Sequence, residues 1–148
     1  MKYSWHLAKE TVPAYLDVNK VEKSIKKAME YVTKICENQV TFTQDENGNI
    51  VFGFEDFGPN DLSNGNWELI KPNKYAVALN TRYIWGTLYQ FWRPMSIKML
   101  VIHELGHILG LGHANDPHSV MHSNPYLPYF NDNEVVQLIY LTNPNRKK

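Results

Sequence analysis

The chain has 148 residues, which is the size of one domain. Its 15 basic and 15 acidic side chains cancel, so its net charge gives no reason to expect nucleic acid or an anionic membrane as a partner. No segment approaches the ~20 apolar residues of a membrane span. The first residues also lack the apolar core of a signal peptide. We therefore expect one soluble domain, although a longer precursor could have carried a leader or pro-segment.

The single cysteine, Cys36, excludes an internal disulfide and leaves the compartment open. It ends an apolar helical stripe, which favours a buried core thiol over a reactive one. The basic run at 145–148 is expected to be a solvated tail.

The first part of the chain predicts a strand, a helix and another strand. Residues 11–17 read as a short strand with Pro13 near its start. Residues 19–38 carry apolar side chains at helical spacing, with Asn19 and Glu22 resembling a capping box. The alternating "QVTFT" that follows predicts a strand.

Two further strands and a long loop are expected next. "IVFGFED" (50–56) and "YAVALN" (75–80) read as strands, and the turn before the first would place Gly48 at a positive φ. Residues 57–74 are rich in Gly, Asn and Pro, which predicts a loop. Calcium binding there is a weak alternative, because the spacing matches no EF-hand; its ligands would be Asp61, Asn64 and Asn66.

The second half predicts two helices separated by a loop. An irregular aromatic segment, 81–94, precedes a mostly apolar and therefore central helix at 95–110. Residues 114–132 form a proline-containing loop, and a last helix at 133–142 would be capped by Asn131 or Asp132. The whole is an α+β domain, with a mainly N-terminal sheet packed on helices.

The stretch "HELGHILGLGH" predicts a zinc site on the central helix. His103 and His107 are four residues apart and share a helix face, so their imidazoles can meet one ion. Gly110 can end the helix in a left-handed conformation, and the chain can then return His113 as a third ligand. Three ligands leave one position open, as a catalytic zinc requires.

Glu104 follows the first histidine and points about 100° round the helix, beside the metal and off the ligand line. Zinc lowers the pKa of bound water to ~7 and polarises a carbonyl. Glu104 could then take the water proton and give it to a leaving amine, which is peptide hydrolysis. A buried core histidine pair is the alternative, but five fixed positions occur together by chance only about 10⁻⁴ of the time or less.

These eleven residues resemble the metzincin signature HExxHxxGxxH. "SVM" at 119–121 resembles that clan's Met-turn, with Met121 beneath the ligands. Taken alone, this methionine would be core filler. The eight-residue step from His113 to Met121 is similar to the matrixins, whereas astacins and serralysins carry a tyrosine where this chain has Ser123. More loosely, most of the chain follows a matrixin-like order, with "IVFGFED" and "YAVALN" at the family's third and fourth strands.

The resemblance implies a minimal matrixin-type catalytic domain, with a sheet-bearing part at 1–102 and a C-terminal part at 103–148. The chain departs from the family between Phe57 and Ile102, where it has no histidine to hold a second, structural zinc. We therefore expect one zinc, whereas structural calcium is possible but not supported by the sequence. We also expect that Cys36, which lies in the predicted helix, is not the equivalent of the family's cysteine-switch residue.

The resemblance also implies an extended substrate that pairs with "YAVALN" as an edge strand, through Ala76, Val77, Ala78 and Leu79. Pro125 and Tyr126 would line the specificity pocket, with Leu127 and Tyr129 nearby, which favours an apolar residue after the scissile bond. An aromatic cluster is expected to be core or interface packing rather than a substrate platform; its members are Tyr83, Trp85, Tyr89, Phe91 and Trp92.

The function predicted from these residues is a monomeric zinc endopeptidase acting on peptides or proteins. The family is usually secreted, which makes a mature extracellular domain the expectation. Two alternatives stay open, a zinc-dependent peptide-recognition or toxin-like module without general proteolysis, and an exopeptidase. The other histidines are expected to be polar residues near solvent; they are His6, His118 and His122.

Overall fold

One mixed five-stranded sheet carries helices that position the histidines, in a computed structural model that describes residues 1–86 and 95–145. The strand order is β2-β1-β3-β5-β4, and only the pairing of β4 with β5 is antiparallel. The strands are β1 (Lys2–Leu7), β2 (Thr41–Gln44), β3 (Ile50–Glu55), β4 (Gly65–Lys71) and β5 (Lys74–Asn80).

Three α-helices complete the described domain and confirm the α+β prediction. Helix α1 packs on α2, and α2 contacts the β4–β5 side of the sheet. None of these helices is long and apolar enough to cross a bilayer. The remaining elements are α1 (Val18–Ile35), a two-residue parallel pairing of β6 (Trp85–Gly86) with β7 (Met95–Ser96), α2 (Ile97–Ile108) and α3 (Asp132–Thr142).

Helix α1 forms where its apolar stripe predicts it, but its cap differs from the prediction. Asp17, not Asn19, is the N-cap, and its carboxylate accepts hydrogen bonds from Asn19 N (2.8 Å) and Lys20 N (3.4 Å). The buried face ends at Cys36, which is fully buried as predicted.

The predicted strand at 11–17 is wrong. A 3₁₀ turn occupies Lys9–Thr11, and the strand of this region is β1, nearer the N-terminus. The Thr11 hydroxyl donates to Ala8 O (2.6 Å) and accepts from Phe54 N (3.0 Å). A local side-chain turn therefore replaces the ladder that the sequence suggested.

Two expectations about the sheet edge are also wrong. The predicted loop at 57–74 contains β4, and "YAVALN" is not an edge strand because β5 lies between β3 and β4. "YAVALN" is also the fifth strand along the chain rather than the fourth. The side chains of β4 are mostly exposed, so this edge strand lacks the apolar alternation that would have revealed it.

The caps of the last two helices follow their sequences. Helix α2 begins at Ile97, and its N-cap Ser96 accepts from Met99 N at 3.1 Å. Helix α3 begins after Asn131, which forms a reciprocal capping box with Glu134. The subdomain boundary that we predict after residue 102 falls within α2.

The turn before β3 needs a glycine for a reason other than the predicted one. Gly48 does not have a positive φ. A Cβ at this position would lie 2.5 Å from the carbonyl carbon of Trp5, which is too close for any side chain. The backbone of this turn therefore packs directly against the backbone of β1. This contact helps to set the position of β3 beside β1.

We predict that Gly48→Ala lowers the free energy of unfolding by about 1–3 kcal/mol, because the methyl group must displace backbone rather than a side chain. Gly112→Ala is the matched control, since a Cβ there meets nothing within 4 Å. Urea denaturation of both variants measures the difference, and equal midpoints would contradict the close approach.

Candidate metal centre and active site

The end of α2 brings the third histidine back towards the other two. Gly110 has φ 114°, as predicted, and its N–H donates to His107 O at 3.0 Å. Leu111 N then donates to Gly106 O (2.9 Å), which closes the helix and reverses the chain. His113 follows two residues later.

The three predicted ligands meet at one point. Their ring centroids are 4.7, 4.8 and 5.3 Å apart, and one nitrogen of each lies within 4.8 Å of the others. His103 is buried, His107 is half-buried and His113 is exposed, so the group opens to solvent on one side. Within the described ranges, no other group of three or more His, Cys, Asp or Glu residues could hold a metal.

Backbone carbonyls fix the rings of the first two histidines. The Nδ1 of His103 lies 2.6 Å from Val120 O, and that of His107 lies 2.8 Å from Leu111 O. A carbonyl only accepts, so each Nδ1 carries the proton and each Nε2 presents a lone pair. These two Nε2 atoms face each other at 3.2 Å.

That geometry suits zinc. Two acceptor nitrogens this close repel each other unless a proton or a cation lies between them. In a tetrahedral zinc site, two ligand nitrogens are about 3.3–3.4 Å apart, which is close to the observed distance. Burial lowers the pKa of His103 to about 4, and burial is also the main cause of the lowered pKa of His107. Both imidazoles are therefore held neutral, the form that binds a metal.

Glu104 lies beside this group and is shielded from solvent. Its side chain is almost completely buried, and burial raises its pKa to about 7. With His103 and His113 it lines a cavity of about 330 Å³.

A tight turn lies where the sequence predicts the Met-turn. His122 N donates to Ser119 O at 3.1 Å, which closes a four-residue turn around Val120 and Met121. Val120 supplies the carbonyl that holds His103, and Met121 is fully buried. Its sulfur packs under Gly106, where a Cβ would lie only 2.5 Å away.

A buried carboxylate anchors this turn, and the sequence analysis did not identify it. The Ser119 hydroxyl lies 2.6 and 2.7 Å from the two Glu134 oxygens, and it accepts from Met121 N at 2.8 Å. Asn131 N also donates to Glu134. The run "NDNE" at the start of α3 was the available signal, because it predicts a capping box that contains Glu134. The contact of Glu134 with Ser119 could not be predicted, since it joins distant segments.

The structure divides the predicted substrate residues. Pro125 lines the cavity, whereas Tyr126 lies beside His118, with ring centroids 6.1 Å apart. Tyr129 packs on Tyr31 instead of the cavity. Ala76–Leu79 lie within β5, hydrogen-bonded into the sheet on both sides, so they offer no free edge.

A second wall of the cavity comes from the segment before β4. Leu62, Ser63, Asn64 and Gly65 line it, opposite Ser123 and Asn124. The Asn80 amide holds this segment by donating to the carbonyls of Asp61 (3.2 Å) and Ser63 (2.8 Å).

Trp67 on β4 is a further residue that the sequence analysis missed. Its ring stacks on His107, with centroids 6.2 Å apart and planes inclined by 19°. It also contacts Tyr75, with ring centroids 6.3 Å apart, and its side chain is 38% exposed. A tryptophan within a segment rich in Gly, Asn and Pro was the only sequence signal.

The remaining predictions for this region fare differently. Asp61 accepts from Ser63 N, and the calcium site stays an untested prediction. His118 is exposed near Asp116, as expected of a polar loop residue. Trp85 is buried, as expected of core packing, and Tyr83 is packed against the core. The last three members of the aromatic cluster, Tyr89, Phe91 and Trp92, lie outside the described residues.

The family model of the M10 peptidases, described as Matrixin, matches residues 1–140. The chain belongs to the matrixin family. It is therefore a zinc metallopeptidase, and the histidine group on α2 and the following turn is where a metal would bind. No match was found among curated proteins.

The contact between Gly106 and Met121 generates a testable prediction. Gly106→Ala should lower the free energy of unfolding by about 1–3 kcal/mol and weaken zinc binding, because the methyl group pushes the Met-turn away from α2. Chemical denaturation and zinc titration measure both effects.

The double variant Gly106→Ala/Met121→Ala is the control. Gly106→Ala should cost less when it is added to Met121→Ala than when it is made in the parent, because the shorter side chain frees the space that the methyl group needs. Strictly additive destabilisation would show that the two residues do not press on each other.

Proposed function

We propose that this matrixin is an endopeptidase that hydrolyses internal peptide bonds of extended substrates, with one zinc held by His103, His107 and His113 and with Glu104 as the general base. The observation that carries the proposal is the placement of the buried Glu104 in the same cavity as two of the ligands. A site that only bound metal would gain nothing from burying a carboxylate there, since burial of a charge without a partner is costly.

A zinc ion bound there would supply a Lewis acid that lowers the pKa of water and polarises the scissile carbonyl. The protein's own groups do the rest. Val120 O and Leu111 O hold the first two imidazoles, those of His103 and His107, in the tautomer that leaves Nε2 free. Glu104 accepts the proton of the attacking water and returns it to the departing amine.

The free edge of β4 is the surface that we propose for substrate pairing. Asn80 N donates to Asn64 O, which makes that pair a hydrogen-bonded one in the antiparallel ladder. By alternation, the backbone groups of Gly65, Trp67 and Leu69 point away from β5. An extended peptide can pair with them and pass directly over the histidines.

The proposed preference for an apolar residue after the scissile bond rests on the family resemblance, because the cavity beside Glu104 has more polar than apolar surface. Leu62, Leu100 and Pro125 give it apolar walls, although serine and asparagine side chains also border it. No described lysine or arginine lines it, so it offers no cation to anchor a substrate carboxylate. This favours internal cleavage over carboxypeptidase action.

The remaining parts of the proposal rest on the family and on the sequence. The partner is a peptide or protein substrate, the chain acts as a monomer, and the mature domain is secreted. Neither calcium nor a second zinc is needed for the chemistry proposed here.

Replacing Glu104 tests the mechanism. Glu104→Gln and Glu104→Ala should keep the zinc and lose turnover by about 10²–10⁴-fold, because the water proton then has no acceptor. A cleavage profile on a complex peptide library, with metal content measured for each protein, gives the result.

Internal cuts that disappear in both variants establish an endopeptidase, and the residue after each cut reports the cavity's preference. Parent-like cleavage by the zinc-loaded variants would refute the role of Glu104. If the zinc-loaded parent cut nothing, a peptide-recognition module would replace the proposal.

Replacing Trp67 tests the substrate path. Trp67→Ala should raise KM for long peptides several-fold and broaden selection at one substrate position, because the aromatic face beside His107 is lost. Trp67→Phe should retain most of the preference. Glu68→Ala is the control, because adjacent residues of a strand point to opposite faces. The same loss in Glu68→Ala would count against a path over Trp67.

A further inference from the structure

A groove of about 610 Å³ lies between α1 and β2, at the edge of the sheet farthest from β4. Phe42 and Gln44 of β2 border it, and the almost completely buried Trp5 and Met29 form its apolar floor. Three strands separate this edge from the strand next to the histidines. The groove is therefore distinct from the proposed active site.

The wall formed by α1 is strongly basic. Lys23, Lys26, Lys27 and Lys34 line it, and Glu30 is its only acidic residue within the described chain. All four lysines are exposed, and none has an ion-pair partner among the described residues. Because the whole chain has no net charge, this is a local concentration of positive charge.

The free edge of β2 offers unpaired backbone groups to the same groove. Thr41 N donates to Met1 O, and Asp45 N donates to Trp5 O, so the odd-numbered residues of β2 face β1. By alternation, the N–H and C=O groups of Phe42 and Gln44 point outward. Within the described residues, β2 pairs with no strand other than β1.

We propose that this groove binds an extended acidic polypeptide segment, which adds to β2 as a strand and places acidic side chains against the lysines. Side chains on alternate residues of an added strand share one face, so the segment would carry Asp or Glu at every second position. The outward backbone groups favour a polypeptide over other polyanions, because only a polypeptide continues the ladder. The proposal does not depend on the peptidase activity.

The probe is a short fluorescein-labelled peptide of alternating Glu and Thr, blocked at both ends, added to the zinc-loaded protein. Anisotropy measures its affinity, and mass spectrometry confirms that it stays intact. Binding should weaken steeply with salt. Amide chemical shifts of Phe42 and Gln44 should move on binding, and an alternating Lys–Thr peptide should not bind.

Two pairs of variants separate the contribution of the lysine charges from that of the backbone hydrogen bonds. Lys23→Glu/Lys27→Glu should weaken binding at least tenfold, whereas Lys20→Glu/Lys71→Glu makes the same change in net charge outside the groove and should change it less than twofold. Gln44→Pro removes one outward N–H and should weaken binding strongly, whereas Gln44→Val keeps that N–H and should not. Circular dichroism confirms that each variant is folded.

Equal losses in the two lysine double variants would show only diffuse attraction and would overturn the proposal. If Gln44→Pro bound as tightly as Gln44→Val, strand addition would be wrong and the groove would bind polyanions by charge alone. Absence of binding at millimolar peptide would also overturn it.

Discussion

The site depends on two hydrogen bonds from imidazole N–H groups to backbone carbonyls. Val120 O and Leu111 O fix the tautomers of His103 and His107, so that each Nε2 carries a lone pair. The two Nε2 atoms lie 3.2 Å apart. A cation bound by both nitrogens would satisfy both lone pairs. The two carbonyls orient the rings for such an ion, since each accepts from an Nδ1 and leaves Nε2 free.

Tertiary contacts link the site to the rest of the domain. Glu134 ties the Met-turn to α3 through Ser119, and Met121 presses against Gly106 of α2. On the opposite wall, Gly65 lies so close to Leu100 of α2 that a Cβ would overlap it. The edge strand β4 and helix α2 are therefore in close contact beside the cavity.

The sequence predicted the histidine group and the helices better than the strands around them. The four-residue spacing on a helix and a glycine that can take a positive φ are local constraints, so the grouping of His103, His107 and His113 and the conformation of Gly110 could be predicted directly. The helices were also found, because their apolar stripes and caps are local. Strand β4 was missed because its side chains are exposed, and its pairing with β5 is set by distant residues. The sequence therefore predicts Ala76–Leu79 as the free edge. In the structure, the backbone N–H and C=O groups of Gly65, Trp67 and Leu69 are the ones that point away from the sheet.

Contacts between distant segments explain the other omissions. Trp67 reaches His107 only after β4 has packed on α2, and Ser119 meets Glu134 fifteen positions further along the chain. Gly48 was assigned to a turn requirement, whereas the approach of the Trp5 backbone is what excludes a side chain. In each case the sequence shows an unusual residue type, but the residue that it contacts lies far away along the chain and cannot be identified from local patterns.

The central claim is that one zinc is held by the three histidines, with a fourth position open for chemistry. X-ray absorption at the zinc edge, on protein loaded with a single equivalent, tests it most directly. We expect three imidazole nitrogens at ~2.0–2.1 Å and one further light oxygen ligand. A sulfur ligand at ~2.3 Å would contradict this account, as would four nitrogens or tight binding of a second equivalent.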